Sequence, residues 1–179
     1  MSLSLWAVVV GCIILFVNLP ALVSPKAFLE VVGQFPRSKW PGWVLSAVDL
    51  LCVAWIVYHA HLGSFEFLKP FIFLAAPLSF GLVVFFMNEL LAPRAFGGLL
   101  MLAANPILYA ARWQETDWRW VMTVIAYVWA VAGMALMLSP FRFRQVVLWV
   151  NKTEMRCRLG AAVRVLFGLF VLFLGLKVY

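Results

Sequence analysis

Residues 24–51 read SPKAFLEVVGQFPRSKWPGWVLSAVDLL, and residues 139–166 read SPFRFRQVVLWVNKTEMRCRLGAAVRVL. The two stretches align without a gap at an offset of 115 positions, and each lies between segments apolar enough to cross a bilayer. They share an initial Ser-Pro, a phenylalanine at the fifth position, two adjacent valines and a later Ala-Val. We therefore predict an internal repeat of a membrane hairpin, with both copies starting from the same side of the membrane.

The composition indicates an integral membrane protein, because 66% of the 179 residues are hydrophobic and only 12% are charged. Soluble domains contain about 45–50% apolar and about 25% charged residues. Helices satisfy every backbone amide internally, which a segment in lipid requires. We predict an all-α, polytopic transmembrane bundle forming a single domain over residues 1–179, with repeat 1 at about 5–61, a central hairpin at about 68–112 and repeat 2 at about 119–178. The six predicted spans cover residues 5–23, 41–61, 68–90, 94–112, 119–138 and 158–178.

Each repeat also contains a linker with the pattern of an amphipathic helix lying in the membrane interface. Ser24 and Ser139 are candidate N-caps, and a proline follows each of them at the first helical position, where a missing N–H costs nothing. Apolar residues then recur at helical spacing against a basic face. The predicted interfacial basic face consists of Lys26, Arg37, Lys39, Arg142, Arg144 and Lys152.

Basic residues are distributed unequally between the two sides of the predicted bundle. The linkers after spans one, three and five contain nine of them, whereas the opposite side contains four, namely Lys69, Arg112, Arg119 and Lys177. The positive-inside rule places the side with nine in the cytoplasm and both termini outside it. The net charge of +7 therefore reflects membrane orientation, and we expect no nucleic-acid partner. We expect the protein in a bacterial inner (plasma) membrane.

Three polar residues within the predicted spans are candidates for a buried polar layer. Asp49 in span two aligns with Arg164 in span six across the repeat, and Asn105 precedes a proline within span four. A carboxylate at this depth costs several kcal/mol unless it is paired, protonated or hydrated. We consider an Asp49–Arg164 ion pair, two separately satisfied side chains, or a pathway for protons or ions. Arg164 is also near enough to the helix start to extend toward the headgroups.

The only two histidines, His59 and His61, end span two and are weak candidates for a ligand role. Positions two apart on a helix point in nearly opposite directions, so the pair cannot chelate one metal ion. No nucleophile, acid–base pair or metal-binding motif is evident. We therefore predict no catalytic residues, no metal and no cofactor, although we expect bound lipid.

Small residues form a ridge along span five, which favours close helix packing. The ridge consists of Thr123, Ala126, Ala130 and Gly133, and it suits contact within the bundle, with other membrane subunits or with a second copy. Short loops and an aromatic exterior favour a non-catalytic accessory or assembly subunit of a larger membrane complex. The alternative is a small transporter, or an ion- or proton-conducting protein, that uses the Asp49, Arg164 and Asn105 layer.

Overall fold

The computed structural model describes residues 2–35, 38–61, 63–86, 90–141, 145 and 153–179. Within these ranges the chain is helical between short turns, and no strand occurs there. The α-helices are α1 Leu3–Val23, α2 Pro25–Gln34, α3 Lys39–His59, α4 Ile72–Phe86, α5 Leu91–Arg112, α6 Arg119–Leu138 and α7 Glu154–Lys177. A 3₁₀ helix, Gly63–Phe71, precedes α4.

Six helical segments are long and apolar enough to cross a membrane. They are α1, α3, α5, α6, α7 and the segment Lys69–Phe86, which joins the end of the 3₁₀ helix to α4. The prediction of an all-helical, multi-pass membrane protein is therefore confirmed. We call the side that holds the ends of α1, α4 and α6 the linker side, and the side that holds both chain termini the terminal side.

Two of the predicted spans start three or more residues later than the helices do. The predicted end of span three lies mostly outside the described residues, which omit 87–89. Helix α5 begins at Leu91, three residues early, because Pro93 lies in the first turn, where helical N–H groups have no partners in any case. Helix α7 begins at Glu154, four residues early, because its charged first turns continue the helix beyond the apolar segment.

Glycines bring α1 and α7 into close antiparallel contact. A methyl group at Gly11 would lie 2.9 Å from the Cβ of Leu172, and one at Gly175 would lie 2.9 Å from the backbone N of Val8. Gly168 is buried further along the same seam, where an added methyl group would lie 2.9 Å from Ile14 Cγ2. Van der Waals packing at this distance is what joins helices in lipid, where the hydrophobic effect does not favour their association.

Helices α5 and α6 form a second glycine seam. A methyl group at Gly133 would lie 2.5 Å from the carbonyl oxygen of Gly97, so the two backbones touch without intervening side chains. The two seams meet in a core on the terminal side, to which α1, α5, α6 and α7 all contribute. Its buried members are Leu3, Ala7, Val10, Ala104, Ile107, Ala111, Met122, Ile125, Ala126 and Val171.

Helices α3 and α4 lie outside this four-helix core. Helix α3 runs parallel to α5, and a methyl group at Gly42 would lie 3.0 Å from the backbone N of Ala92. Helix α4 packs mainly on α3, and none of its residues is buried. The chain therefore consists of a tight core of four helices, with α3 docked along α5 and α4 exposed at the periphery.

Helix α2 occupies the first predicted interfacial segment and contacts the start of α7. Phe28 and Leu29 pack on a small cluster that contains Cys157 and Ala161. Ser24 precedes the helix as predicted, but its side chain does not cap it, because the Ser24 hydroxyl donates instead to the carbonyl oxygen of Pro20 at 3.4 Å. Most of the second predicted interfacial helix, residues 142–144 and 146–152, lies outside the described residues.

The helix boundaries follow the offset of the sequence repeat, but the packing does not. Helices α1 and α6 end at Val23 and Leu138, and α3 and α7 begin at Lys39 and Glu154, so that both pairs are 115 positions apart. Helix α1 packs on α7, whereas α6 packs on α5, and the described parts of α6 and α3 form no comparable seam. Segments related in sequence thus make different contacts, and the repeat stays a prediction.

The α5–α6 seam predicts unequal effects of the same substitution at two glycines. We expect Gly133→Ala to destabilise the protein by about 1–3 kcal/mol, because the added methyl group must push the Gly97 backbone away. Gly81→Ala in α4 is the matched control, since nothing lies within 4 Å of its added methyl group. Reversible unfolding in mixed micelles measures both variants, and equal stability of the two would contradict the seam.

Candidate functional site

A groove of about 740 Å³ lies along α3 and α5. Its lining includes Trp6 of α1, Cys52 and Trp55 of α3, and Asn105 and Tyr109 of α5. Several of these side chains are exposed, so the groove opens laterally to the membrane. The lining is mostly apolar, which suits an apolar ligand or the side chains of another membrane helix.

Pro106 adds a second polar feature to this groove beside the amide of Asn105. Proline lacks an N–H, so the carbonyl of Leu102, four residues earlier, has no helical donor. Leu102 and Asn105 both line the groove. A hydrogen-bond donor from outside the chain would therefore meet the Asn105 side-chain amide and the Leu102 carbonyl on α5.

Asp49 lies in the α3–α5 seam at the linker-side end of the groove. Its carboxylate faces Gly98, where an added methyl group would lie 2.9 Å from Asp49 Oδ2. Its Oδ1 is buried, and none of the described residues donates a hydrogen bond to it. The side chain as a whole keeps intermediate exposure, and Leu51 and Cys52, which follow it on α3, line the groove. A carboxylate oxygen without a donor among the described residues thus lies at one end of an apolar, open groove.

Arg164 contacts α1 and does not reach Asp49. Its Nη1 donates to Asn18 Oδ1 at 3.4 Å, and the Nδ2 of this buried asparagine donates to the carbonyl oxygen of Ile14 at 2.8 Å. Its Nη2 lies 3.6 Å from the position of a methyl group at Gly160, one turn nearer the linker side. The guanidinium therefore extends back along α7 toward the linker-side headgroups. No ion pair joins Asp49 to Arg164, both of which are described.

The structure also separates Asn105 from Asp49. Asn105 follows Gly98, the residue that Asp49 contacts, by seven positions on α5, which corresponds to roughly 10 Å along a helix. The three predicted members of the polar layer consequently have three different environments. Asp49 lies in the α3–α5 seam, Arg164 lies on the α1–α7 pair, and Asn105 lies in the groove wall.

The predicted basic face is described only in part. Lys26 forms an exposed ion pair with Glu154 at 3.5 Å, which adds to the contact between α2 and α7. Lys39 is the first residue of α3. Arg37, Arg142, Arg144 and Lys152 lie outside the described residues.

The two histidines have ordinary structural surroundings. His59 Nδ1 donates to the carbonyl oxygen of Trp55 at 2.9 Å, and the two rings stack with their centroids 4.2 Å apart. His61 is almost fully exposed and lies 4.0 Å from Glu66. Within the described residues, no group of three or more His, Cys, Asp or Glu side chains has the geometry of a metal site.

The small-residue ridge of α6 packs within the chain. Ala126 is fully buried, and Gly133 touches the Gly97 backbone. Ala130 packs against the core, and the Thr123 hydroxyl donates to the carbonyl oxygen of Arg119 at 3.0 Å. Of the three uses that the pattern suggested, these residues make contact within the bundle, and association with other subunits or with a second copy stays a prediction.

Sequence reasoning missed Asn18 and Gly98, which are the direct neighbours of Arg164 and Asp49. Asn18 was detectable, because it is a polar residue in an otherwise apolar helix. Gly98 was not, because glycine is common in membrane helices and only packing identifies the one that faces Asp49.

A comparison of this chain with protein-family models, with curated proteins and with solved structures finds no significant match.

The separation of Asp49 from Arg164 predicts that exchanging the two side chains restores nothing. We expect the stability losses of Asp49→Arg and Arg164→Asp to add within about 0.5 kcal/mol in the double variant, because residues without shared contacts behave independently. Unfolding in mixed micelles of the wild type, both single variants and the double variant provides the measurement. A double variant more stable than either single variant would reveal an ion pair and contradict this geometry.

Proposed function

We propose that the protein is a non-catalytic accessory or assembly subunit of a larger membrane complex, and that the α3–α5 groove receives a helix of a partner subunit. The observation that carries the proposal is the Asp49 carboxylate, which lies at the groove end without a donor among the described residues. An unpaired carboxylate in a membrane span is costly, so a cation or a hydrogen-bond donor from another chain would stabilise it. Assembly would then satisfy an oxygen that has no donor within the described part of the chain.

The shape of the groove supports contact with a helix. Ala103 and Pro106 are compact residues in its α5 wall, and compact residues let a second backbone approach closely. Trp55 and Tyr109 supply large apolar surfaces with polar atoms at their tips. A partner helix with a Lys, Arg, Asn or Gln at the depth of Asp49 would complement both parts of this surface.

The proposal also includes the membrane orientation of the chain and the internal repeat of its hairpin. Charge asymmetry between the linkers supports both termini outside the cytoplasm in a bacterial inner membrane. A second interfacial helix after α6, equivalent to α2, would complete the duplicated hairpin. The equal spacing of helix ends supports duplication, and the different packing partners indicate that the copies have since diverged in their contacts.

The alternative function is conduction of protons, ions or a small solute. Asp49 supports this function too, because a membrane carboxylate can carry a proton. Against it stands the separation of Asp49, Arg164 and Asn105, since a pathway requires polar groups that follow one another. Assembly is the better supported function for this reason.

The assembly function predicts which variants lose the partner. Mild-detergent purification with mass spectrometry should recover a stoichiometric partner with the wild type. Asp49→Asn should weaken its retention roughly three- to twentyfold, the range expected from a polar contact of ~0.6–1.7 kcal/mol in lipid. Ala103→Trp should abolish retention by filling the groove. Ala75→Trp, on the exposed face of α4, is the matched control and should change nothing.

Three outcomes of this experiment would contradict the proposal. The first is that Asp49→Asn and Ala103→Trp both leave retention of the partner unchanged. The second is that only Ala75→Trp loses the partner. The third is that the purified chain conducts protons or a solute in liposomes and that Asp49→Asn abolishes this flux. The last of these would establish conduction.

A further inference from the structure

A second cavity lies at the terminal-side end of the α5–α6 pair, far along α5 from the seam where Asp49 lies. It has a volume of about 470 Å³ and is lined by side chains from both helices. Arg112, the last residue of α5, and Arg119, the first residue of α6, face the same cavity. Neither guanidinium has a carboxylate within 4.0 Å among the described residues, although Glu115 and Asp117 lie in the connecting loop.

Aromatic rings position both guanidiniums and leave their donors available. The Cζ of Arg112 lies 6.0 Å from the ring centroid of Trp113, and that of Arg119 lies 5.8 Å from the ring centroid of Trp120. Each guanidinium carries five N–H donors, so a cation–π contact with a nearby ring leaves donors free to bind an anion. Arg119 uses one donor on the carbonyl oxygen of Gln114 at 3.0 Å, which fixes its side chain across the loop.

We propose that this cavity binds the phosphate group of a membrane phospholipid. Two guanidiniums provide paired, charge-assisted hydrogen bonds to phosphate oxygens, for which their planar geometry is well suited. Both arginines lie where α5 and α6 leave the membrane span, the level at which lipid headgroups are found. The site is separate from the α3–α5 groove, so this proposal does not rest on the proposed assembly function.

The inner wall of the cavity favours a lipid over a free phosphate ion. Leu108 of α5 and Tyr127 of α6 line the cavity one to two turns inward from the arginines. Tyr127 and the neighbouring Val124 are exposed on the surface that faces the bilayer. The glycerol and acyl chains of a bound lipid would continue along this apolar surface, whereas inorganic phosphate would use only the two arginines.

Native mass spectrometry of the whole chain in detergent tests this site by the number of lipids retained. With added phosphatidylglycerol, Arg112→Gln/Arg119→Gln should retain one molecule fewer than the wild type, and the affinity for that molecule should fall roughly tenfold or more. Lys69→Gln/Lys177→Gln removes the same charge from the same side and should retain the wild-type number. Arg112→Gln alone, which leaves the Arg119–Gln114 hydrogen bond intact, should give an intermediate affinity and a normal elution volume.

Competition with inorganic phosphate tests whether the ligand is a phospholipid, and the control variants test whether the two arginines form the site. Millimolar inorganic phosphate should not displace the retained lipid, and full displacement by phosphate would overturn the assignment to a phospholipid. Equal loss in the lysine control would show general charge attraction and overturn the site. An unchanged number of retained lipids in the arginine variants would also contradict the site.

Discussion

Backbone contact through glycine is the constraint on which the rest of this structure depends. Lipid does not drive apolar helices together, so their association requires close van der Waals contact. Gly97 with Gly133 and Gly11 with the α7 glycines provide this contact in two antiparallel pairs. The pairs merge in one core on the terminal side. Helix α3 can then dock along α5 by its own glycine, Gly42, and this position forms both the Asp49 seam and the groove.

The all-helical membrane architecture could be predicted from the sequence, because lipid offers the backbone no hydrogen-bond partners. Apolar runs near 20 residues long must form helices in lipid, and six of them are present. The pairing of helices could not be predicted in the same way. The small-residue ridge of span five marked Gly133 as a packing position, but no local pattern identified Gly97 as its neighbour or the contact between α1 and α7.

For the candidate site, too, the sequence identified the polar residues but not the contacts that they make. Asp49, Arg164 and Asn105 stand out in sequence because polar side chains are costly in a membrane. Their aligned positions suggested a pair, yet residues at matching heights meet only if their helices are neighbours. Helices α3 and α7 are not packed on each other, so Arg164 meets Asn18 and Asp49 meets Gly98. The polar residues of the spans could be identified from the sequence, whereas the level of Asn105 relative to Asp49 and the neighbours of all three residues required the tertiary structure.

Side-chain length then determines which of the two aligned charges needs a partner. Asp49 and Arg164 are each ten residues beyond the start of their helices, or roughly 15 Å from the linker-side end. Side chains on both helices tilt toward that end, because Cα–Cβ bonds point toward a helix N-terminus. Arginine has a long stem that carries its charge back over Gly160 toward the headgroups. Aspartate has a single methylene and stays where the backbone places it. The arginine can therefore reach the headgroups by its own length, whereas Asp49 Oδ1 is left without a donor among the described residues, and the proposed assembly would supply one through the groove.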